Sequence, residues 1–165
     1  MKKLKMLFVI MSLLLIVGCG SPKTELDKFK SYLKRKEHYK CTQNVCTRNT
    51  SEGKLISFTD SINFDEYTYE HSSNANNGLN TSKKIYNWNT KICTYENYLM
   101  GIKITASYNF NTNEYTCNSK QSNSSKREIN EFIETQCNLY EIFTKEHKKG
   151  FDDLVKKSGT LYFNE

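Results

Sequence analysis

Tyr86-Asn87-Trp88-Asn89-Thr90-Lys91-Ile92-Cys93-Thr94-Tyr95 recurs 22 residues later as Tyr108-Asn109-Phe110-Asn111-Thr112-Asn113-Glu114-Tyr115-Thr116-Cys117. A shorter version, Ile62-Asn63-Phe64-Asp65-Glu66-Tyr67-Thr68-Tyr69, precedes both and reads as the same pattern with two residues cut from its turn. Alternating residues, a turn of Asn, Asp and Thr, then alternation again make a β-hairpin signature. Three such hairpins in succession predict an antiparallel meander of about six strands. In this alignment Cys93 matches Tyr67 and Tyr115, and Cys117 matches Tyr69 and Tyr95. The two cysteine positions differ by two, so both face one side of the sheet. Core packing accounts for the repeated aromatics, because alternation requires one buried face. A ligand-binding use would draw on Trp88, Tyr95 and Tyr115.

Around the meander the pattern changes to a helical period. Thr24-Glu25-Leu26-Asp27 resembles an N-terminal cap, and Leu26, Phe29 and Leu33 follow at helical spacing. A helix is predicted from Glu25 to about Glu37, its outer face carrying Lys28, Lys30, Lys34, Arg35 and Lys36. That face is either solvated or laid on a membrane surface. Ser125-Lys126-Arg127-Glu128 forms a capping box ahead of Ile129, Phe132, Ile133, Cys137, Tyr140, Phe143 and His147. A second helix, or an extension past Gly150, is expected to reach about Lys157. Leu161-Tyr162-Phe163 is a last short strand or a packing tail. Ser72 to Ser82, with Asn77-Gly78, and Gln121 to Ser125 read as polar loops; Leu99 to Ala106 reads as strand. The fold class is therefore α+β: an antiparallel meander flanked by an N-terminal helix and a long C-terminal helix.

The front of the chain differs from the rest. Lys2, Lys3 and Lys5 precede an apolar run from Met6 to Val17. A basic start and a short apolar centre define a secretory signal peptide, and the run is too short to span a bilayer, which takes about 20 apolar residues. Ile16-Val17-Gly18-Cys19 resembles the lipobox of bacterial lipoproteins. That resemblance covers the first 20 or so residues and implies a diacylglyceryl group on the Cys19 thiol, cleavage before it, and acylation of the new N-terminus. It divides the chain into a signal at 1–18, a lipidated tether at 19–23 and one extracytoplasmic domain at 24–165. The lipid on Cys19 would be the membrane anchor, at the extracytoplasmic face of the cell membrane, and no other cofactor is implied.

Composition sets further bounds. The 165 residues carry a formal net charge of +6, and three of the positive charges lie in the leader. The rest of the excess is spread along the chain rather than gathered in a patch, which gives nucleic acid no support as a partner. One proline, 11 Tyr and 9 Phe describe an ordered, β-rich domain rather than a disordered stalk. With Cys19 set aside, Cys41, Cys46, Cys93, Cys117 and Cys137 remain, an odd number in a compartment that permits disulfides. If Gln43-Asn44 is a two-residue turn, Cys41 and Cys46 sit opposite each other with Cα atoms about 4.5 Å apart, within bridging range. Cys93–Cys117 is a second candidate pair. Cys137 takes Cys93 or Cys117 as partner, or stays a buried thiol. No paired Cys/His spacing points to a metal.

The histidines His38, His71 and His147 have no partner at a recognisable catalytic spacing, and no nucleophile elbow or phosphate loop is present. Asp65-Glu66 and Asp152-Asp153 are neighbours that point apart, unlike a glycosidase pair. No residue is assigned a catalytic role. The reading is a non-catalytic binding module whose partner is a wall glycan, a peptide, a lipid or an envelope protein. The alternatives are a small hydrolase or thiol enzyme using a histidine or the odd cysteine, and a surface-exclusion or structural lipoprotein.

Overall fold

The computed structural model describes residues 24–75, 78–99, 101–120 and 127–163. The leader, the lipobox residues Ile16, Val17 and Gly18, Cys19, the tether, the 121–125 linker and the Ser125 capping box lie outside the described residues. Helix α1 (Glu25–Lys36) opens the fold. Eight strands follow: β1 (Lys40–Thr42), β2 (Val45–Glu52), β3 (Ile56–Asn63), β4 (Thr68–Ala75), β5 (Asn80–Asn87), β6 (Ile92–Leu99), β7 (Ile102–Asn109) and β8 (Glu114–Lys120). Helix α2 (Arg127–Ser158) closes it. The strands form one antiparallel sheet in sequence order, every neighbour joined by a hairpin connection. The α+β class holds. The sheet has eight strands rather than six because the Cys41–Cys46 turn opens a further hairpin, β1–β2.

Helix α1 starts where the capping signal puts it. The Asp27 backbone N–H donates to the Thr24 hydroxyl at 3.1 Å, and the Thr24 N–H donates to the Asp27 carboxylate at 3.2 Å. Phe29 and Leu33 are fully buried, so the helix packs on the domain and turns Lys28, Lys34, Arg35 and Lys36 outward. Lys30, expected on that outer face, instead reaches the Gln43-Asn44 turn, donating to the Gln43 carbonyl at 2.8 Å and to Asn44 Oδ1 at 2.9 Å. Helix α2 runs unbroken through Gly150 for 32 residues, about 48 Å at 1.5 Å per residue. Its apolar stripe, including Tyr140, Phe151 and Leu154, continues across the glycine, so packing outweighs the local cost of about 1 kcal/mol. The 161–163 segment is a packing tail rather than a strand.

Register explains which face is covered. One row of paired residues crosses β2 to β8 as Cys46, Ile62, Tyr69, Tyr86, Cys93, Tyr108 and Tyr115. All but Tyr115 are buried. The next row on the same face is Arg48, Asp60, His71, Lys84, Tyr95, Ala106 and Cys117. Helix α2 covers this face over β5 to β8, and the opposite face carries Ser, Thr and Asn.

Three expectations need correction. The first concerns the repeat. Ile62 pairs with Tyr69, Tyr86 with Cys93 and Tyr108 with Tyr115, so all three turns have the same length and Tyr69, Cys93 and Tyr115 are equivalent. The two-residue difference lies at the other end of the sheet, where residues 76–79 join β4 to β5 but only 100–101 join β6 to β7. The second concerns residues 72–82. They are mostly strand: Ser73 pairs with Ser82, their hydroxyls 2.7 Å apart. The ladder satisfies the backbone, and Ser, Thr and Asn suit a solvated face. The third concerns the disulfides. Cys41–Cys46 forms across the Gln43-Asn44 turn, with Cα atoms 3.9 Å apart. The second bridge is Cys117–Cys137, from β8 to α2. Cys93 and Cys117 do share a face, but β7 lies between them. Two strand spacings of about 4.8 Å each exceed the reach of a disulfide. Cys93 is left as a buried free thiol.

Candidate functional site

The turns of the three repeats build one end of the molecule. Each opens with an asparagine whose side-chain oxygen accepts backbone N–H groups ahead of it: Asn63 from Asp65 and Glu66, Asn87 from Asn89 and Thr90, Asn109 from Asn111, at 2.9–3.3 Å. This is why asparagine recurs at that position. Each turn closes in the left-handed region, at Tyr67 (φ 58°), Lys91 (φ 59°) and Asn113 (φ 57°). The turns also bond to one another. Phe64 N–H donates to the Asn44 carbonyl, Trp88 N–H to Tyr67 and Phe110 N–H to Lys91, at 2.9–3.0 Å. These bonds set Phe64, Trp88 and Phe110 side by side.

The C-terminal half of α2 lies against that aromatic row. Phe151 stacks on Trp88 with ring centroids 5.0 Å apart and planes 7° from parallel. The tail after α2 closes one end: Phe163 meets Trp88, Phe151 and Phe29 edge-on at 5.1–5.4 Å. Glu25 holds the tail, its backbone carbonyl accepting from the Thr160 hydroxyl at 3.1 Å and its carboxylate from the Leu161 N–H at 2.8 Å. That N–H, with Lys28, draws the Glu25 carboxyl below its ordinary pKa. Between turns, helix and tail opens a groove of about 1,020 Å³. Its walls include Tyr67, Trp88, Phe110 and Phe151. Its rim carries Lys91, Lys156 and Lys148, the last paired with the rim acid Asp152 at 2.5 Å, so Lys91 and Lys156 supply its positive charge. Lys148 sits 5.4 Å from the centre of the Phe110 ring. The groove therefore offers the exposed Tyr67 ring and the part-exposed Phe110 ring over a buried Trp88–Phe151 stack, with net positive charge at the rim. This suits a ligand with an apolar body and a negative group.

A second polar cluster lies on the helix-side face, on β2 to β4. Asp60, 5% exposed, accepts from Arg48 Nη2 at 2.7 Å and Nε at 3.0 Å, and lies 2.7 Å from His71 Nδ1. Burial pushes its pKa up, but the His71 and Arg48 hydrogen bonds together outweigh this and hold it below the ordinary carboxylate value. Arg48 also reaches the Glu37 carboxylate at 3.4 Å and stacks over Tyr39. His71 lies against the Phe58 ring and, among the described residues, bonds to no hydroxyl or thiol. The pair lacks the nucleophile that a hydrolytic triad requires. Cys93 supplies none, because burial raises its pKa to about 12 and keeps the thiol protonated at neutral pH.

His147 is structural and titrates with consequence. It stacks on Tyr69 at 4.5 Å and donates from Nε2 to the Tyr69 carbonyl at 3.0 Å. Burial lowers its pKa from 6.5 to about 4, with Lys84 and His71 adding to the effect. Between those values the unfolded chain binds the proton that the folded chain refuses. Stability contributed by neutral His147 is thus complete above pH 6.5 and lost on acidification towards pH 4. At about 1.4 kcal/mol per pKa unit the loss is roughly 3 kcal/mol. Urea unfolding at pH 7.5, 5.5 and 4.5 should show it, and His147→Gln should flatten the slope. An equal slope in that variant would place the acid sensitivity elsewhere. Asp60 adds to the acid sensitivity in the next window down, losing its stabilisation only below the ordinary carboxylate pKa near 4.

Of the aromatic candidates, Trp88 (8% exposed) lines the groove. Tyr95 and Tyr115 lie apart from it under α2: Tyr95 packs edge-on against Tyr140 at 4.4 Å, and the Tyr115 hydroxyl donates to the Cys137 carbonyl at 2.6 Å. His38 is exposed beyond α1 in a left-handed conformation. Phe151, Lys148 and Lys156 were not singled out for a site, although Lys148, Asp152 and Lys156 share a stripe at fourfold spacing beside Phe151. Asp60 and His71 are equidistant from their turn, a signal usable only once the turn length is right. Among the described residues, no group of three or more His, Cys, Asp or Glu is placed to hold a metal, and no helix is long and apolar enough to cross a membrane. Comparison with family models, curated proteins and solved structures finds no match, so what the groove does rests on its own residues.

Proposed function

We propose that this chain is a bacterial lipoprotein, anchored through Cys19 at the extracytoplasmic face of the cell membrane, whose body is a non-catalytic binding module. The lipobox-like Ile16-Val17-Gly18-Cys19 supports the address. The groove beside Trp88 supports the binding role, and it is the observation that carries it. Its aromatic walls and lysine rim fit a peptide segment of an envelope protein that bears aromatic and acidic side chains. Trp88 is the single tryptophan, so its fluorescence reports on the groove directly. A synthetic acidic peptide containing Tyr and Phe should change that emission saturably, and its lysine counterpart should not. Lys91→Glu with Lys156→Glu should weaken binding about tenfold, or 1.4 kcal/mol. Equal responses to both peptides, or none, would remove the groove as the binding site.

A hydrolase remains the second reading, favoured by the His71–Asp60 contact alone. It predicts that His71→Gln abolishes an activity while leaving peptide binding at Trp88 intact. In a binding module the Arg48–Asp60 ion pair, in contact with His71, holds β2 to β4 to the end of α1 through Glu37.

A further inference from the structure

The sheet face turned away from α2 has its own concavity, about 530 Å³, spanning β3 to β7. Five strands at about 4.8 Å spacing make it about 19 Å across. Its lining is hydroxyl and amide: Ser57, Thr59, Ser72, Asn74 and Thr81 among others. Register sets these side chains in two adjacent rows, so donors and acceptors repeat at the strand spacing. Each hydroxyl can both donate and accept. Among the described residues that line it, the charges are matched. Lys103 pairs with Glu96 at 3.1 Å and Lys83 with Glu70 at 2.9 Å, so these lysines offer no uncompensated charge to an anion. One aromatic side chain breaks the polar lining: Tyr98, 45% exposed on β6. About half of this side chain is open to solvent.

We propose that this face is a glycan-binding strip. Its ligand is an uncharged oligosaccharide lying across the strands, a sugar ring stacked on Tyr98 and its hydroxyls exchanging hydrogen bonds with the Ser, Thr and Asn rows. A polyol matches a surface of repeated donor–acceptor groups without net charge, whereas an apolar peptide finds one ring and an anion finds only paired lysines. The strip is independent of the groove, which lies at the turn end on the helix side. It does not require the peptide reading to be correct.

The test uses the full protein, purified from membranes and held in lipid nanodiscs, with two probes: the tetramer of N-acetylglucosamine and the tetramer of glucose. Calorimetric titration should show millimolar or tighter binding of at least one. Tyr98→Ala should weaken it about tenfold, Tyr98→Phe should retain it, and Trp88→Phe should leave it unchanged. Thermal unfolding of each variant controls for folding, and Asn74→Ala with Thr81→Val gives a second lesion that spares Tyr98. Three results would overturn the proposal. One is no heat from either tetramer at millimolar concentration. Another is binding lost with Trp88→Phe but kept with Tyr98→Ala, which moves the sugar to the groove. The last is binding of polygalacturonate with neither neutral tetramer, which makes the face an anion site.

Discussion

Cys19→Ser is expected to release the protein from the membrane or to leave it with an uncleaved leader. The effect should be close to all-or-none. A buried acyl methylene contributes about 0.8 kcal/mol, one chain holds only marginally, and two hold stably. Removing the thiol removes the attachment point for the diacylglyceryl group, and no helix among the described residues is long and apolar enough to replace it. Membrane fractionation with radiolabelled palmitate checks this. Label that persisted in the serine variant would overturn the lipoprotein reading and, with it, the envelope ligands proposed above.

Phe151→Ala should be the most damaging core substitution. Phe151 is buried and stacks on Trp88 at 5.0 Å. It also meets Tyr69, Tyr86 and Phe163 at 5.1–5.7 Å, and so joins the sheet, the turns, α2 and the tail. Truncating a buried phenylalanine costs about 3–5 kcal/mol, through lost transfer energy and the cavity left behind. For a domain of this size that is a fall of about 10 °C in Tm. Chemical denaturation gives the free energy, and Trp88 emission reports the loss of its stacking partner. A loss under about 1 kcal/mol would show that the tail and turns pack independently of α2.

Several elements were legible because their cause is local. The Thr24–Asp27 cap, the Gln43-Asn44 turn with its flanking cysteines and the asparagine-led hairpins each depend on residues a few positions apart. So does the apolar stripe of α2, which carried through Gly150 because the stripe itself continues. The 62–69 repeat was misread for an instructive reason. Its aromatic positions can be matched with or without a gap, and composition alone does not fix where the two residues belong. The ladder does, by pairing Ile62 with Tyr69. Residues 72–82 look like loop because they are polar, yet polarity on a strand reports only which face meets water.

From the sequence alone came the meander, the two helices, the outward basic face of α1, the Cys41–Cys46 bridge and the expectation of a lipid anchor. These follow from periodicity and short-range spacing, which a linear chain carries in full. Tertiary structure alone decided that Cys117 joins Cys137 while Cys93 stays free, that Asp60 meets His71 beneath Arg48, and that Phe151 lays a wall against Trp88. The reason is distance along the chain. Register across intervening strands and the angle of a long helix over a sheet set those contacts, and both emerge only when the whole core packs.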